Sequence, residues 1–448
     1  MNELSLYIHI PFCVRKCHYC DFLSAPCDED TRQKYVESLC REMEERAEAF
    51  QDKKVDTIFF GGGTPSILSV KQMEQIISMI RSRFRVLQEA EISMEMNPGT
   101  VDREKLEAYK RLGINRLSIG LQSANDEELK ILGRIHTWED FLQTWKMVRE
   151  MGFTNVNIDL MSALPGQTLE SYEETLRKVL ALKPEHISAY SLIVEEGTPF
   201  YEWFGNEEEK QEDKQKNRQC TENMKSVSED TEIELKNKEL PDELTDRQMY
   251  EMTKKLLEEQ GYYRYEISNY ALKGYECKHN VGYWKRKEYL GLGLGAASLL
   301  FVDAREENNK ESKDFKKTNW RCTNIIDLQT YLEMGKQKKK ESSQIRKTKQ
   351  TETKGIAAEN EKWTEEQTQL SLADQMEEFM FLGLRMMEGV NPEEFEQQFG
   401  KSLQEVYGEQ IEKLKERKLL EFREKTGKYA LTLQGIDISN QVFAEFLF

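Results

Sequence analysis

The sequence predicts an α/β fold built from parallel βαβ units. Three observations lead there: six short apolar runs, helix-like segments between them, and strict alternation within most of the runs. The runs are Leu4–Ile10, Val55–Phe60, Glu91–Met96, Asn115–Leu121, Asn155–Leu160 and His186–Leu192, with helical patterns near 31–50, 69–83, 102–112, 138–151 and 168–182. Strands that alternate with helices pair in parallel, and right-handed crossovers place the helices outside a curved sheet or barrel.

Alternation assigns the faces, because successive strand side chains point to opposite sides. In the first strand Leu4, Leu6, Ile8 and Ile10 oppose Ser5, Tyr7 and His9. In the third, Ile92, Met94 and Met96 oppose Ser93 and Glu95. The fourth sets Leu117, Ile119 and Leu121 against Arg116, Ser118, Gly120 and Gln122; the fifth sets Val156, Ile158 and Leu160 against Asn157 and Asp159. The sixth alternates more weakly. The apolar faces must meet the helices, so the polar faces line the interior. A closed eight-stranded barrel fills its interior with branched apolar side chains. A polar lumen points instead to an open barrel that holds a ligand, the alternative being that one or two strands are solvated edges.

With 448 residues the chain has room for two or three domains at ~150 residues each. Polar stretches at 205–243, 304–319 and 336–368, the last with a basic run at Lys338, Lys339 and Lys340, read as solvated insertions or disordered loops. Between them, 246–260 reads as a helix and Tyr262–Ser268 as a strand. Residues 371–448 form a separate unit: helices at 371–388, 392–399 and 402–417, a hairpin turning near Thr426-Gly427, and a last helix over 433–446. That unit resembles a winged helix. Its excess of Asp and Glu over Lys and Arg argues for a lid facing protein or ligand rather than DNA. The divisions are therefore 1–203, a polar insertion at 204–243, a barrel-completing segment at 244–303, a second insertion or linker at 304–368, and 369–448.

A formal net charge of -17 and a pI of about 5.1 repel nucleic acid and anionic lipid, so neither is an expected partner. No apolar run approaches the ~18 residues of a membrane span. The N-terminus, MNELSLYIHIPFC, reads as a strand rather than a signal peptide. The eight cysteines are not spaced as a disulfide framework, and a cytoplasmic protein with reduced thiols is expected.

The motif that carries chemistry is Cys13-Val14-Arg15-Lys16-Cys17-His18-Tyr19-Cys20, on the loop after the first strand. C-x3-C-x2-C brings three thiolates together and leaves one iron of a [4Fe–4S] cubane without a protein ligand. That iron can chelate the amino and carboxylate groups of S-adenosylmethionine (SAM), with the hard chemistry left to cluster and cofactor. The alternative is a zinc site with His18 or His9 as fourth ligand. The context favours the cluster, since the loop sits at the C-terminal mouth of a strand, where such sheets bind ligands. After the second strand, Gly61, Gly62, Gly63 and Thr64 allow backbone groups to approach a ligand closely and suit the methionine amino group. Glu95, Gln122 and Asp159 lie on lumen faces near strand ends, where they suit ribose hydroxyls and an ammonium group. Arg134 suits a carboxylate through its planar fork.

With these residues in view, the chain resembles a known family. YIHIPFC-x3-C-x-YCDF, FFGGGTPS, EMNPGT, GINRLSIGLQS, LGRIH, NIDLM-x2-LPGQ, ISAYSLIVEEGTP, YEISNYA and HN-x2-YW are similar to the oxygen-independent coproporphyrinogen III oxidase-like radical SAM proteins, within them the haem-chaperone (HemW-like) branch. The resemblance covers about 1–203, 244–298 and 371–448. It implies a partial (β/α)6 radical SAM barrel with a C-terminal lid, and SAM contacts by Tyr7, Tyr19, Gly63, Thr64, Glu95, Gln122, Arg134 and Asp159. It also associates His279, Asn280, Tyr283 and Trp284 with haem, where an imidazole among aromatic rings is a reasonable axial ligand; a packed aromatic cluster is the alternative. The oxidases carry a further cysteine two residues after the triad, where this chain has Phe22, and a long extension before the first strand. Family members usually read GAHS where this chain has Gly295-Ala296-Ala297-Ser298, and often have Gly near Ala163.

The leading expectation is a haem carrier, with haem or porphyrin as cargo, an acceptor protein, and an electron donor such as a flavodoxin. The alternatives are oxidative decarboxylation of coproporphyrinogen III propionates and radical methyl or alkyl transfer. Cys27, Cys40, Cys220, Cys277 and Cys322 read as spare thiols, with Cys277 near His279 as a possible covalent haem anchor.

Overall fold

The computed structural model describes residues 3–205, 238–303, 317–336 and 362–448. Six strands, β1 (Glu3–Ile10), β2 (Lys54–Gly62), β3 (Arg85–Met96), β4 (Arg116–Gln122), β5 (Val156–Ser162) and β6 (His186–Ser191), lie side by side in sequence order and parallel. The helices between them are α1 (Glu29–Arg46), α2 (Val70–Arg83), α3 (Arg103–Leu112), α4 (Asp126–Ile131), α5 (Trp138–Glu150) and α6 (Leu169–Ala181). Their starts are encoded locally: Asp28 and Asp102 cap α1 and α3, and capping boxes open α2, α5 and α6 at Ser69, Thr137 and Thr168.

The faces follow the alternation. Leu4, Leu6, Ile8 and Ile10, Met94, Leu117, Ile119, Leu121, Val156, Ile158 and Leu160 are all fully buried in one core with the helices. Ser93, Glu95, Ser118, Asn157 and Asp159 are left for the inner face. β1 and β6 are not edges. β1 pairs in parallel with β9 (Tyr289–Leu292), and β6 pairs antiparallel with β8 (Asn269–Ala271), itself paired with β7 (Tyr263–Arg264). Beyond β9 lie β10 (Ala297–Asp303), β11 (Lys317–Asn324) and β12 (Thr364–Leu370), all antiparallel. The twelve-stranded order ends at β12 and β7, so the sheet is open among the described residues.

Several elements differ from the sequence-based expectation. Of Tyr262–Ser268 only Tyr263–Arg264 (β7) is a strand, and β8 begins just after the stretch, at Asn269. Residues 317–336 and 362–368, within the division read as an insertion or linker at 304–368, contain β11, a helix at Leu328–Lys336 and most of β12. β12 reads TEEQTQL and is mostly exposed, so it carries no apolar signal; backbone pairing to β11 and the fully buried Trp363 beside it hold it in place. The basic run at 338–340 and Cys220 lie outside the described residues.

The C-terminal unit packs its helices Leu372–Gly383, Pro392–Phe399 and Leu403–Glu416 and the hairpin β13 (Leu420–Arg423) and β14 (Lys428–Leu431) around their own core, including Met380, Phe395, Tyr407 and Ile411. Its last helix is two short ones, Leu433–Asp437 and Ser439–Ala444, broken at Ile438. It meets the barrel through several contacts, among them Met387 N–H to Tyr265 O at 2.9 Å, Asn319 Nδ2 to Gln375 Oε1 at 2.8 Å, and one shared carboxylate. Glu378 accepts from Arg286 Nε at 2.9 Å and from Arg321 Nε at 2.8 Å.

On the other flank, buried Glu42 ties α1 to the far strands. It accepts from Arg46 (3.0 Å), Asn324 (2.7 Å), the Gly293 N–H (2.8 Å) and Tyr331 (2.7 Å). Glu42→Leu leaves a buried guanidinium without its counter-charge, and we expect it to cost about 3–5 kcal/mol in denaturant or thermal unfolding. A loss below about 1 kcal/mol would show that this network is not what secures the β9–β11 flank.

Candidate cofactor site

The cysteine loop is held from three sides. The Cys13 N–H donates to Ala25 O at 3.2 Å, closing the loop on itself, and the His18 N–H donates to Leu132 O at 3.0 Å. From β2, Gly63 N–H donates to Ile10 O at 2.9 Å and Thr64 N–H to Phe12 O at 2.7 Å. This approach explains two glycines. A Cβ on Gly63 would lie 2.6 Å from Phe12 O; one on Gly62, whose φ is +107°, would lie 2.4 Å from the His9 ring.

Two of the three thiols face side-chain donors suited to thiolate. Thr64 Oγ1 donates to Cys13 Sγ at 3.4 Å, and Arg134 Nη1 to Cys17 Sγ at 3.6 Å. Burial pushes the Cys20 thiol up to about 11, with Cys17 and Cys13 adding to the effect and the Phe22 N–H opposing it. A thiol that burial holds protonated, as at Cys20, is stabilised as thiolate by bound cationic iron. Of the two candidate fourth ligands for zinc, His9 has neither nitrogen free and His18 keeps only Nε2. Both nitrogens of His9 are engaged, with Tyr7 OH and Leu23 O at 3.0 Å each, and His18 Nδ1 is bonded to Ile131 O at 2.9 Å. Among the described residues no three His, Cys, Asp or Glu side chains are grouped to hold a metal ion. Mononuclear zinc needs such convergence on one ion, whereas a cubane gives each cysteine its own iron.

Beside the loop, the lumen gathers the other candidates. Arg134 spans the mouth: Nη2 donates to Asn97 Oδ1 at 2.7 Å and to Gly120 O, Nη1 reaches Cys17, and buried Nε has no partner. Asn97 Nδ2 in turn donates to Thr64 Oγ1 at 2.9 Å. Glu95 Oε2 accepts from Gly62 N–H at 3.1 Å. Asp159 accepts from Ser118 (3.1 Å) and Asn157 (2.7 Å). A register shift between Gly120 and Gln122 puts Gln122 at φ +73°, and its Oε1 accepts from Tyr190 OH at 3.3 Å. Tyr7 lies against Phe59 at 6.3 Å between ring centres, and Tyr19 against Phe200 at 6.4 Å. Burial first, and then the Asp159 carboxylate, push Glu95 up to about 8 against the Gly62 N–H; burial likewise raises Asp159. Two desolvated carboxylates and a half-satisfied guanidinium in one mouth suit a zwitterionic ligand.

The HN-x2-YW residues lie lower in the barrel, on the helix Lys278–Trp284. Its first turn is capped by Glu91 of β3, which accepts from the N–H groups of Lys278 (3.1 Å) and His279 (3.2 Å). His279 is buried. Its Nδ1 is bonded to Thr57 and its Nε2 to Tyr283 OH, each at 2.9 Å, and it stacks on Phe59 at 5.1 Å. Burial first, and Lys287 second, hold the ring neutral with its pKa lowered to about 3. Both nitrogens are thus occupied in this conformation. Cys277 Sγ is buried and points at Glu91 Oε1, 3.6 Å away.

Comparison with known proteins places this geometry. Residues 7–179 match the radical SAM superfamily and residues 370–438 the HemN C-terminal domain. A heme chaperone HemW from Lactococcus lactis is 34% identical over 99% of this chain and 97% of its own length. One from Bacillus subtilis is 33% identical over 99% of each, and the Escherichia coli protein of that name is 38% identical over 68% of this chain and 72% of its own. The chain belongs to the radical SAM superfamily, in the HemW branch. In fold it resembles the Escherichia coli radical SAM enzyme coproporphyrinogen III oxidase (HemN), with a TM-score of 0.72 at 22% identity over 99% of this chain and 90% of that one.

Radical SAM proteins bind a [4Fe–4S] cluster and SAM, and the residues present fit both: three thiols with donors on two sulfurs, and a polar mouth with an unpartnered Arg134 Nε. Phe22 stands exposed beside the triad. Ala297 lines a cleft of about 330 Å3 with Tyr7, Tyr283 and Tyr289. Sequence reasoning missed Asn97, Glu91 and the full engagement of His9. Parity held a signal for one of them, since Glu91 shares the face of Ser93 and Glu95.

Two outcomes test this geometry. Gly62→Ala should cost about 1–3 kcal/mol, from left-handed strain and the His9 clash, and should lower the iron retained after anaerobic reconstitution. Glu95→Gln should change stability with a defined pH signature. The raised carboxyl of the folded wild type takes up a proton on folding between its ordinary 4.5 and about 8. That contribution is full below the lower value and is lost as pH rises through the upper one. The melting-temperature gap, variant minus wild type, should therefore widen with rising pH across this window and flatten above it; a pH-independent gap would show that Glu95 is ionised normally.

Proposed function

We propose that the protein is a haem carrier that uses a cluster- and SAM-loaded barrel as its scaffold and passes haem to an acceptor protein in the cytoplasm. The observation that carries this reading is similarity over nearly the whole chain to proteins named heme chaperone HemW. In this reading Cys13, Cys17 and Cys20 hold the cluster. The backbone of Gly62 and Gly63 with Thr64, and Glu95, Gln122 and Asp159, hold the ammonium and ribose of SAM. Arg134 takes its carboxylate, and Tyr7 and Tyr19 flank it. When bound, cluster and SAM supply one-electron chemistry at a sulfonium centre. The chain's own part is to fix the loop, desolvate the carboxylates and keep Arg134 beside Cys17. Residues 369–448 act as the lid, and an electron donor such as a flavodoxin serves the cluster. An axial role for His279 requires Nε2 to leave Tyr283.

Anaerobically reconstituted protein titrated with haemin should bind one haem per chain, and with SAM, reductant and coproporphyrinogen III should form no protoporphyrinogen. Catalytic conversion of coproporphyrinogen would reverse the reading. Cys17→Ala should lose the cluster's thiolate-to-iron absorption, since two remaining thiolates cannot hold the cubane; retention of four irons would remove the ligand assignment.

A further inference from the structure

On the side of the helix Lys278–Trp284 away from the mouth lies a second cavity, of about 1040 Å3. It is bounded by the first residues of β1 and β2, by Lys278, Val281 and Lys285 of that helix, and by Met386–Glu388 of the C-terminal unit. Much of its wall is apolar or aromatic: Tyr265, Val281, Phe301, Met386 and Met387. Ligand sites typically enclose ~300–1,000 Å3, so this cavity has room for a macrocycle, whereas the cleft beside Tyr7 has about a third of its volume.

Most of the charged groups around it have partners, while Glu276 and the exposed Lys278 face solvent without an ion pair among the described residues. Lys287 pairs with Glu3 and Asp56, Lys285 with Glu388, and Glu288 with Lys53. Arg264 donates to Tyr250 OH at 2.6 Å. Arg286 is different. Its side chain is 3% exposed; Nε donates to Glu378, yet Nη1 and Nη2 are buried without a partner. Glu378 cannot neutralise it alone, because the same carboxylate also binds Arg321. The backbone there is left-handed, with φ +52° at a non-glycine residue. A buried guanidinium with two idle donors, held on strained backbone in a cavity wall, is costly unless an anion completes it.

We propose that this cavity is the cargo site and that it takes a flat, carboxylated tetrapyrrole. The macrocycle lies between Val281, Phe301 and the Met386-Met387 pair, and a propionate meets the Nη1/Nη2 fork of Arg286. The inference rests on the haem-carrier reading and deepens it. Helix Lys278–Trp284 becomes the partition between the SAM-side lumen and the cargo, with His279 and Tyr283 fastening it rather than ligating iron.

The test uses the full chain, anaerobically reconstituted and titrated with haemin by its Soret absorption. Arg286→Gln and Val281→Trp, the second filling the cavity from the helix side, should each weaken haemin binding about tenfold or more, the scale of one lost charge-assisted contact. SAM binding and iron content should stay at wild-type level. Ala297→Trp, which fills the cleft beside Tyr7, should leave haemin affinity unchanged. If Arg286→Gln proves unstable on thermal unfolding, Val281→Trp alone decides. Loss of haemin binding in Ala297→Trp with full binding in Val281→Trp overturns this site and leaves the haem-carrier reading standing. A wild-type chain that takes up no haemin overturns both.

Discussion

Two backbone hydrogen bonds, from Gly63 N–H to Ile10 O and from Thr64 N–H to Phe12 O, press the turn after β2 against the root of the cysteine loop. Much else at the mouth depends on that contact. It places Thr64 Oγ1 on Cys13 and lets Asn97 reach Thr64, and Asn97 in turn holds the guanidinium of Arg134 beside Cys17. The contact exists only because two positions carry no Cβ: one would strike a backbone carbonyl and the other an imidazole. A loop that must present three sulfurs in fixed relation cannot rely on its own short span. Here the order comes from a neighbouring strand end, and the strand end is fixed by the parallel sheet beneath it.

The inner face of that sheet is electrostatically expensive. Glu95 and Asp159 are both desolvated, Asp159 further disfavours ionisation of Glu95, and Arg134 has an idle donor. Glu42 shows how a buried carboxylate looks when the fold itself completes it: four donors surround its two oxygens. Glu95 receives one backbone N–H. The difference between a completed and an incomplete buried carboxylate separates scaffold from site, and it is visible only in three dimensions.

What the sequence made legible follows the same division. Period-two alternation exposed the six parallel strands and their inner faces, since each strand buries one face against helices and turns the other inward. The triad, the glycine turn and the lumen carboxylates were legible because they sit at strand ends, where parity and position agree. The flank beyond β1 was not. β11 and β12 are antiparallel strands bordered by polar stretches, and TEEQTQL pairs through its backbone while showing solvent polar side chains. The role of Glu91 as a helix cap joins residues nearly two hundred positions apart, and no local pattern encodes it. The engagement of both His279 nitrogens was equally hidden, because Thr57 meets the imidazole only after the helix crosses the barrel.

The two ends of the barrel are nevertheless one polar system. Asn157 Nδ2 donates to Asp159, and its Oδ1 meets His186 Nδ1 at 2.6 Å. His186 Nε2 meets Tyr265 OH at 2.8 Å, and Tyr265 OH accepts from Cys277 N–H at 3.3 Å. Burial first, with Arg116 adding to it, holds His186 neutral, so one ring nitrogen donates and the other accepts. An amide oxygen can only accept, which makes Nδ1 the donor and leaves Nε2 to take the tyrosine proton. Every bond in the row then points the same way, from the backbone at Cys277 toward the Asp159 carboxylate. Tyr265 belongs to the wall of the lower cavity, and Asp159 to the upper mouth. A neutral histidine whose tautomer is fixed from both sides therefore forms the hinge of this side-chain path between them, and reversing any one bond would require reversing the row.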